Sequence, residues 1–246
     1  MFTGFPEETI RYFLDLRFHN NTQFFHDTHE RYVEEVQQPF YSFITDLAPS
    51  MADIDPQMEL RPYKVLSHIH RDTRFTRDKS PYRDHLWIAF RRAAEPKEGS
   101  VNFWFELGPD RLGWGMGTWG ENKAVNERLQ RQIVAEPMRI ASIIDRCELA
   151  GHHMALTGSF YKRMEVPPQV PERLRPWYTM REIYIPRTNP QRQWVFSRRI
   201  LDEVRRDFEV QAPIYRLLRG IQDELLDEAR QAAADEKKLQ RNQDEW

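Results

Sequence analysis

Apolar residues recur at helical spacing near the start of the chain. Ile10, Phe13, Leu14 and Leu16 form a stripe, entered at Thr3 or Pro6, with Glu7 and Glu8 where the positive end of a helix dipole favours acids. Asn20 and Asn21 break the pattern as turn formers, and Asn21 or Thr22 is placed to cap the next helix. This second helix is predicted over residues 22–47, where Phe24, Phe25, Tyr32, Val33, Val36, Phe40, Phe43, Ile44 and Leu47 share a face. Pro39 should kink or divide it, because it has no N–H for the helix ladder. "APSMADIDPQMELRP" then reads as a loop.

From Lys64 the period shortens. "KVLSHIH", "HLWIAFRR", "VNFWFELG" and "RLGWGMGTWG" are short, rich in bulky and branched residues, and joined by turn-like links such as "GPD". That succession favours an antiparallel sheet over a strand–helix–strand order. Gly113, Gly115, Gly117 and Gly120 alternate with Trp114, Met116 and Trp119, which predicts a glycine-relieved strand against aromatics. A phosphate-cradling loop is the weaker reading there, since no G-x-G-x-x-G opens a helix. Residues 122–150 read as helical with a restart near Pro137, and "GHHMALTG" to "FYKRM" and "WYTMREIYIPR" offer further strands around a proline-rich connection. A long helical region closes the chain, with Ser197 expected to cap one helix and Pro213 to restart another. The predicted architecture is a single α+β domain over residues 1–230. A mostly antiparallel sheet of four or more strands packs against N- and C-terminal helices, and residues 231–246 form a charged tail expected to be disordered.

The chain has 246 residues, 40% of them hydrophobic and 30% charged, which is the balance of a folded domain with a very polar surface. No apolar run approaches the roughly 18 residues of a spanning helix, and no secretory signal is visible at the start, so a cytoplasmic location is expected. Cys147 is the single cysteine, which excludes an intrachain disulfide and a four-cysteine metal site. An inert thiol is the favoured reading of it. Net charge is −2, so global charge draws the chain to neither nucleic acid nor membrane. Locally the picture changes: between Arg61 and Arg92 lie nine Lys or Arg against three Asp.

The densest part is "HRDTRFTRDKSPYRDH", residues 70–85, expected to be a rigid corner between two strand ends. Guanidiniums are forks matched to carboxylate and phosphate, and one steadied by an acid can still offer donors to an outside anion. Arg71, Arg74, Lys79 and Tyr82 are therefore the candidate ligand-binding residues for a small anionic ligand. Asp72, Asp78 and Tyr82 are the candidates for any catalytic role. The competing reading is an internal ion-pair lattice that pins the strands, or a contact for a macromolecular partner. Nucleic acid is disfavoured by the low overall charge and the acid-rich C-terminal stretch. His68 and His70 have a metal-ligand spacing that Asp72 or Asp84 could complete, with His85, His152 and His153 as further candidates. Among eight histidines that spacing carries little weight, and neither a metal nor a cofactor is required.

The pattern Arg71-Asp72-x-Arg74-Phe75-x-x-Asp78-Lys79-x-x-Tyr82 resembles the signature of the family called domain of unknown function 2461. "FTGFPEETIRYFLDL" and "NNTQFFHDTHERYVEEVQQP" resemble that family's opening, and "GSFYKR" and the C-terminal helices fit less sharply. The likeness spans residues 2 to 222 or so. His68 departs from it, standing where the family usually has arginine. The resemblance implies no activity. It implies that the second helix packs near the charged block, with Asn21, His26, His29 or Tyr32 within reach. Whether the protein is an enzyme, and in what oligomeric state it works, is not written in these residues.

Overall fold

The computed structural model describes the backbone of residues 1–244 and the side chains of residues 1–236. Four helical pieces succeed one another at the start: α1 (Glu7–Phe18), α2 (Thr22–Asp27), α3 (His29–Arg31) and, after a π-helical stretch at Tyr32–Gln37, α4 (Gln38–Ile54). Asn21 caps α2 as expected, its side-chain oxygen accepting the Phe24 N–H at 2.9 Å. The helix expected over residues 22–47, to be kinked or divided by Pro39, is broken at Thr28 and widens just before Pro39, which accounts for the wide turn. Pro39 has no N–H for the carbonyl of Glu35, and the hydroxyl of the fully buried Thr9 donates to that carbonyl instead. One missing backbone donor in α4 is therefore made good by a side chain of α1.

The sheet has five antiparallel strands in the order β1-β2-β3-β5-β4: β1 (Leu86–Phe90), β2 (Val101–Leu107), β3 (Leu112–Thr118), β4 (Thr157–Phe160) and β5 (Met180–Pro186). This is the α+β fold that the alternation of strand-like segments predicts. On one face Ile88, Phe103, Phe105, Trp114, Met116 and Ile185 are fully buried, and α4 and the long C-terminal helix α9 (Arg199–Asp244) cover them. Phe43 of α4 lies 4.7 Å from Phe105, and Phe208 of α9 lies 4.9 Å from Phe103, ring centre to ring centre. Between β3 and β5 come α6 (Lys123–Ala135), capped by Asn122, and α7 (Pro137–Asp145), restarted at Pro137 as expected, with the short α8 (Arg175–Thr179) leading into β5. Gly115 and Gly117 let β5 lie close to β3, because a Cβ at either would run into the carbonyl oxygen of Ile185 or Ile183.

Three expectations are corrected. "KVLSHIH" is not a strand. Pro62–Val65 makes one helical turn, α5, and the segment after it forms isolated bridges in place of a ladder: Leu66 to Ile88 of β1, beside the bonds between Ser67 and Trp87, and His70 to Tyr82, which precedes β1. The second bridge cannot lengthen into a ladder through Pro81, which accepts the Arg71 N–H at 2.8 Å but has no N–H to return. Pro213 does not restart a helix: α9 runs straight through it. Its flanks Gln211, Ile214 and Tyr215 are all buried, and Gln211 donates to the Ile185 carbonyl at 2.7 Å, so packing outweighs the roughly 3 kcal/mol a mid-helix proline costs. Ser197 does not cap α9, since its hydroxyl turns back to the Trp194 carbonyl at 3.3 Å. The expected tail of residues 231–246 continues α9 with exposed side chains as far as residue 236, and its last two residues lie outside the described ones.

Candidate functional site

The charged block is anchored at both ends. Asn20, in the turn after α1, takes the backbone of Tyr82 with both halves of its amide: its oxygen accepts the Tyr82 N–H and its nitrogen donates to the Tyr82 carbonyl, each at 2.9 Å. The Tyr82 ring, 4% exposed, stacks on Phe25 of α2 with centres 4.3 Å apart and planes 19° from parallel. The start of the second helical region does pack against the block, through Asn20 and Phe25. Asn21 is occupied in capping, His26 is exposed beside Asp27, and Tyr32 packs on Phe25 from behind. On the other side Arg83 donates one terminal nitrogen to the carbonyls of His68 and His70, which fixes the incoming arm.

Between these anchors lies a hollow of about 370 Å³. Arg17, Arg71, Arg83 and Arg111 line it, with Asp78, Asp84, His85, Asn20, Ser80 and Tyr82. Four cations face two carboxylates. Arg17 is consumed by Asp84 at 2.6 Å and Asp110 at 2.7 Å, and Arg111 reaches Glu106 at 3.1 Å. His85 lies between Asp84 (2.9 Å) and Glu106 (3.5 Å). Arg71 spends one terminal nitrogen on Asp78 and has the rest of its fork free of these bonds. Arg83 has no carboxylate partner among the described residues. Burial, and then the like charge of Arg71, pull its guanidinium below the ordinary value. Two half-buried cations thus repel each other beside an open hollow.

The block's outer turn is built differently. Arg74 closes both prongs on Asp72, at 2.9 and 2.7 Å, and is 76% exposed in its side chain; Lys79 donates to the Thr73 carbonyl at 2.8 Å. Neither lines the hollow, and Phe75 projects into solvent. The Arg74 contact holds the Asp72 carboxyl down at about 2, and hydrogen bonds from Ser80 and then Arg71 hold that of Asp78 well below the usual range. Carboxylates this acidic are weak proton acceptors at neutral pH. Of the predicted residues, Arg71, Asp78 and Tyr82 come together, while Asp72, Arg74 and Lys79 brace the turn. Arg83 and Arg17 are among the lining residues that the sequence signature does not single out, with Arg111, Asn20, Ser80, Asp84 and His85. His68 and His70 are neighbours of the block, and no group of three or more His, Cys, Asp or Glu placed to hold a metal occurs among the described residues. No described helix is long and apolar enough to cross a membrane.

The family model described as "conserved hypothetical protein (DUF2461)" matches residues 8–216, most of the chain, from α1 to beyond the middle of the packed part of α9. No curated protein and no solved structure matches the chain. The chain belongs to the DUF2461 family.

Proposed function

From the geometry of the hollow, we propose that this member of the DUF2461 family binds a small anion, a phosphate or carboxylate compound, against Arg71 and Arg83, in the cytoplasm. The observation that carries this reading is the pair itself. Arg83 is partly desolvated, has no carboxylate in contact among the described residues, and lines the same hollow as the like charge of Arg71. An anion seated between the two would remove the repulsion and take charge-assisted hydrogen bonds from both forks. Asp78 steadies Arg71, Tyr82 and Asn20 set the wall, and the Arg74–Asp72 and Lys79 contacts stiffen the turn. Asp72 and Asp78 act as positioning groups, since carboxyls held this acidic are weak proton acceptors at neutral pH. The hollow is of metabolite size and the chain's net charge is −2, which suits a metabolite-sized anion better than a nucleic-acid strand.

The test is a calorimetric titration with inorganic phosphate. Arg71→Ala should abolish measurable heat, and Arg71→Lys should weaken binding because a point charge cannot copy a fork. Arg74→Ala, outside the hollow, should leave binding in place. Equal affinities in the wild type and Arg71→Ala would overturn the proposal.

A further inference from the structure

The sheet's second face is not what an open antiparallel face should be. Where mostly polar residues are expected, it presents Trp87, Trp104, Trp119 and Tyr184 around Gly117. Tyr184 and Trp104 stack with centres 5.1 Å apart and planes 7° from parallel, and Trp87 and Trp119 lie 6.4 Å apart. They enclose a slot of about 170 Å³ with a mostly apolar lining, edged by Asn102, Glu106 and Thr118. The register makes the slot possible: Trp104 lies opposite Gly115, and Asn102 and Tyr184 both lie opposite Gly117. Asn102 donates its amide nitrogen to the Ser100 carbonyl at 3.2 Å, which leaves its oxygen as an acceptor, and the indole N–H of Trp104 has no acceptor among the described residues. Glu106 is already paired with Arg111 at 3.1 Å.

The slot adjoins the arginine hollow. Arg83, which lines the hollow, stands 4.9 Å from the centre of the Trp87 ring, which lines the slot, and His85 of the hollow lies 5.9 Å from the same ring. The two spaces have about 370 and 170 Å³, and together they fall within the roughly 300–1,000 Å³ of a small-molecule site. A ligand of only one character would use only one of them. We infer that the ligand is an anion carrying a flat ring, with the ring among Trp87, Trp104, Trp119 and Tyr184 and the anionic group against Arg71 and Arg83. A nucleoside monophosphate has this form: a π-face for the tryptophans, ring edges for Asn102 and Thr118, and a phosphate for the guanidiniums. The inference rests on the anion site proposed above and names the class of compound that fills it.

The experiment titrates the full-length protein with inorganic phosphate, ribose 5-phosphate, adenosine monophosphate and adenosine, read by calorimetry and by quenching of tryptophan fluorescence. Stacking of one base should make adenosine monophosphate bind about tenfold or more tighter than ribose 5-phosphate. Trp119→Ala, at an exposed position, should remove that increment and leave phosphate affinity unchanged; Tyr184→Ala should do the same by a second route if Trp119→Ala is poorly folded. Phosphate binding with no gain from the base, or a gain that survives both variants, overturns the inference while the anion site stands. Failure of both phosphate and adenosine monophosphate to bind overturns the site and the inference together.

Discussion

Asn20→Ala should loosen the charged block from the helices that hold it. The amide of Asn20 makes two hydrogen bonds of 2.9 Å to the backbone of Tyr82, a residue only 4% exposed. Each bond has a net value of roughly 0.5–1.5 kcal/mol, so losing both should cost about 1–3 kcal/mol, with the upper end applying if water cannot reach the freed Tyr82 groups. Asn20→Asp separates the halves. It keeps the acceptor for the Tyr82 N–H, loses the donor to the carbonyl, and places its charge in a hollow that contains Arg17 and Arg71. Its cost should therefore fall below that of alanine. The assay is urea unfolding monitored by far-ultraviolet dichroism, where the midpoint should drop with little change in slope. Phosphate affinity, measured beside it, should fall for Asn20→Ala because the wall of the hollow moves with Tyr82, and should fall further for Asn20→Asp, whose carboxylate competes with the anion for Arg17 and Arg71. A midpoint for Asn20→Ala that matches the wild type would refute the claim that this amide anchors the block.

Asp207→Ala should be the more damaging change to the core. Asp207 is fully buried and accepts from the Trp114 indole and from Arg187, each at 2.8 Å, so its removal leaves a buried guanidinium without this partner and should cost about 3–5 kcal/mol in thermal or chemical unfolding. Acid should open the charged turn late. The folded Asp72 and Asp78 carboxyls lie below their ordinary 3.8, so their support is complete above that value and is lost as pH falls through about 2 for Asp72. Amide resonances of residues 72–80, recorded through a pH titration, should move in that window, and a transition centred near pH 4 would count against the Arg74–Asp72 fork.

What the sequence showed, and what it hid, divides by distance along the chain. Asn21 as a cap, Pro137 as a restart, the "GPD" turn and the alternation of β1 to β3 are local signals, and each appears in the fold. "KVLSHIH" has a strand's composition, but Pro62 starts a helical turn and Pro81 leaves the bridge at His70 without a second donor. Pro213 reads as a breaker because nothing local shows that both its flanks are buried under the sheet. The site shows the same division. The signature residues mark where the corner is, and the pairs Arg74–Asp72 and Arg71–Asp78 are close in sequence as well as in space. Asn20 meets Tyr82 across 62 positions, and Arg17 meets Asp84 and Asp110 across 67 and 93. Those long-range contacts decide which arginines are spent. Arg83 stands out only when the chain is folded, because its lack of a carboxylate is a property of its surroundings. The tryptophan slot is hidden for a related reason: Trp87, Trp104 and Tyr184 come from three strands, and only the pairing register puts them on one face.

If Arg71 and Arg83 wait beside the hollow for negative charge, an anion of any origin should find them. Anomalous diffraction from crystals soaked in selenate addresses this without any assumption about the natural ligand. A selenium peak is expected within hydrogen-bond reach of both guanidiniums. Well-ordered Arg71 and Arg83 side chains with no peak between them, or an Arg83 found paired to a carboxylate of the protein, would contradict the anion site.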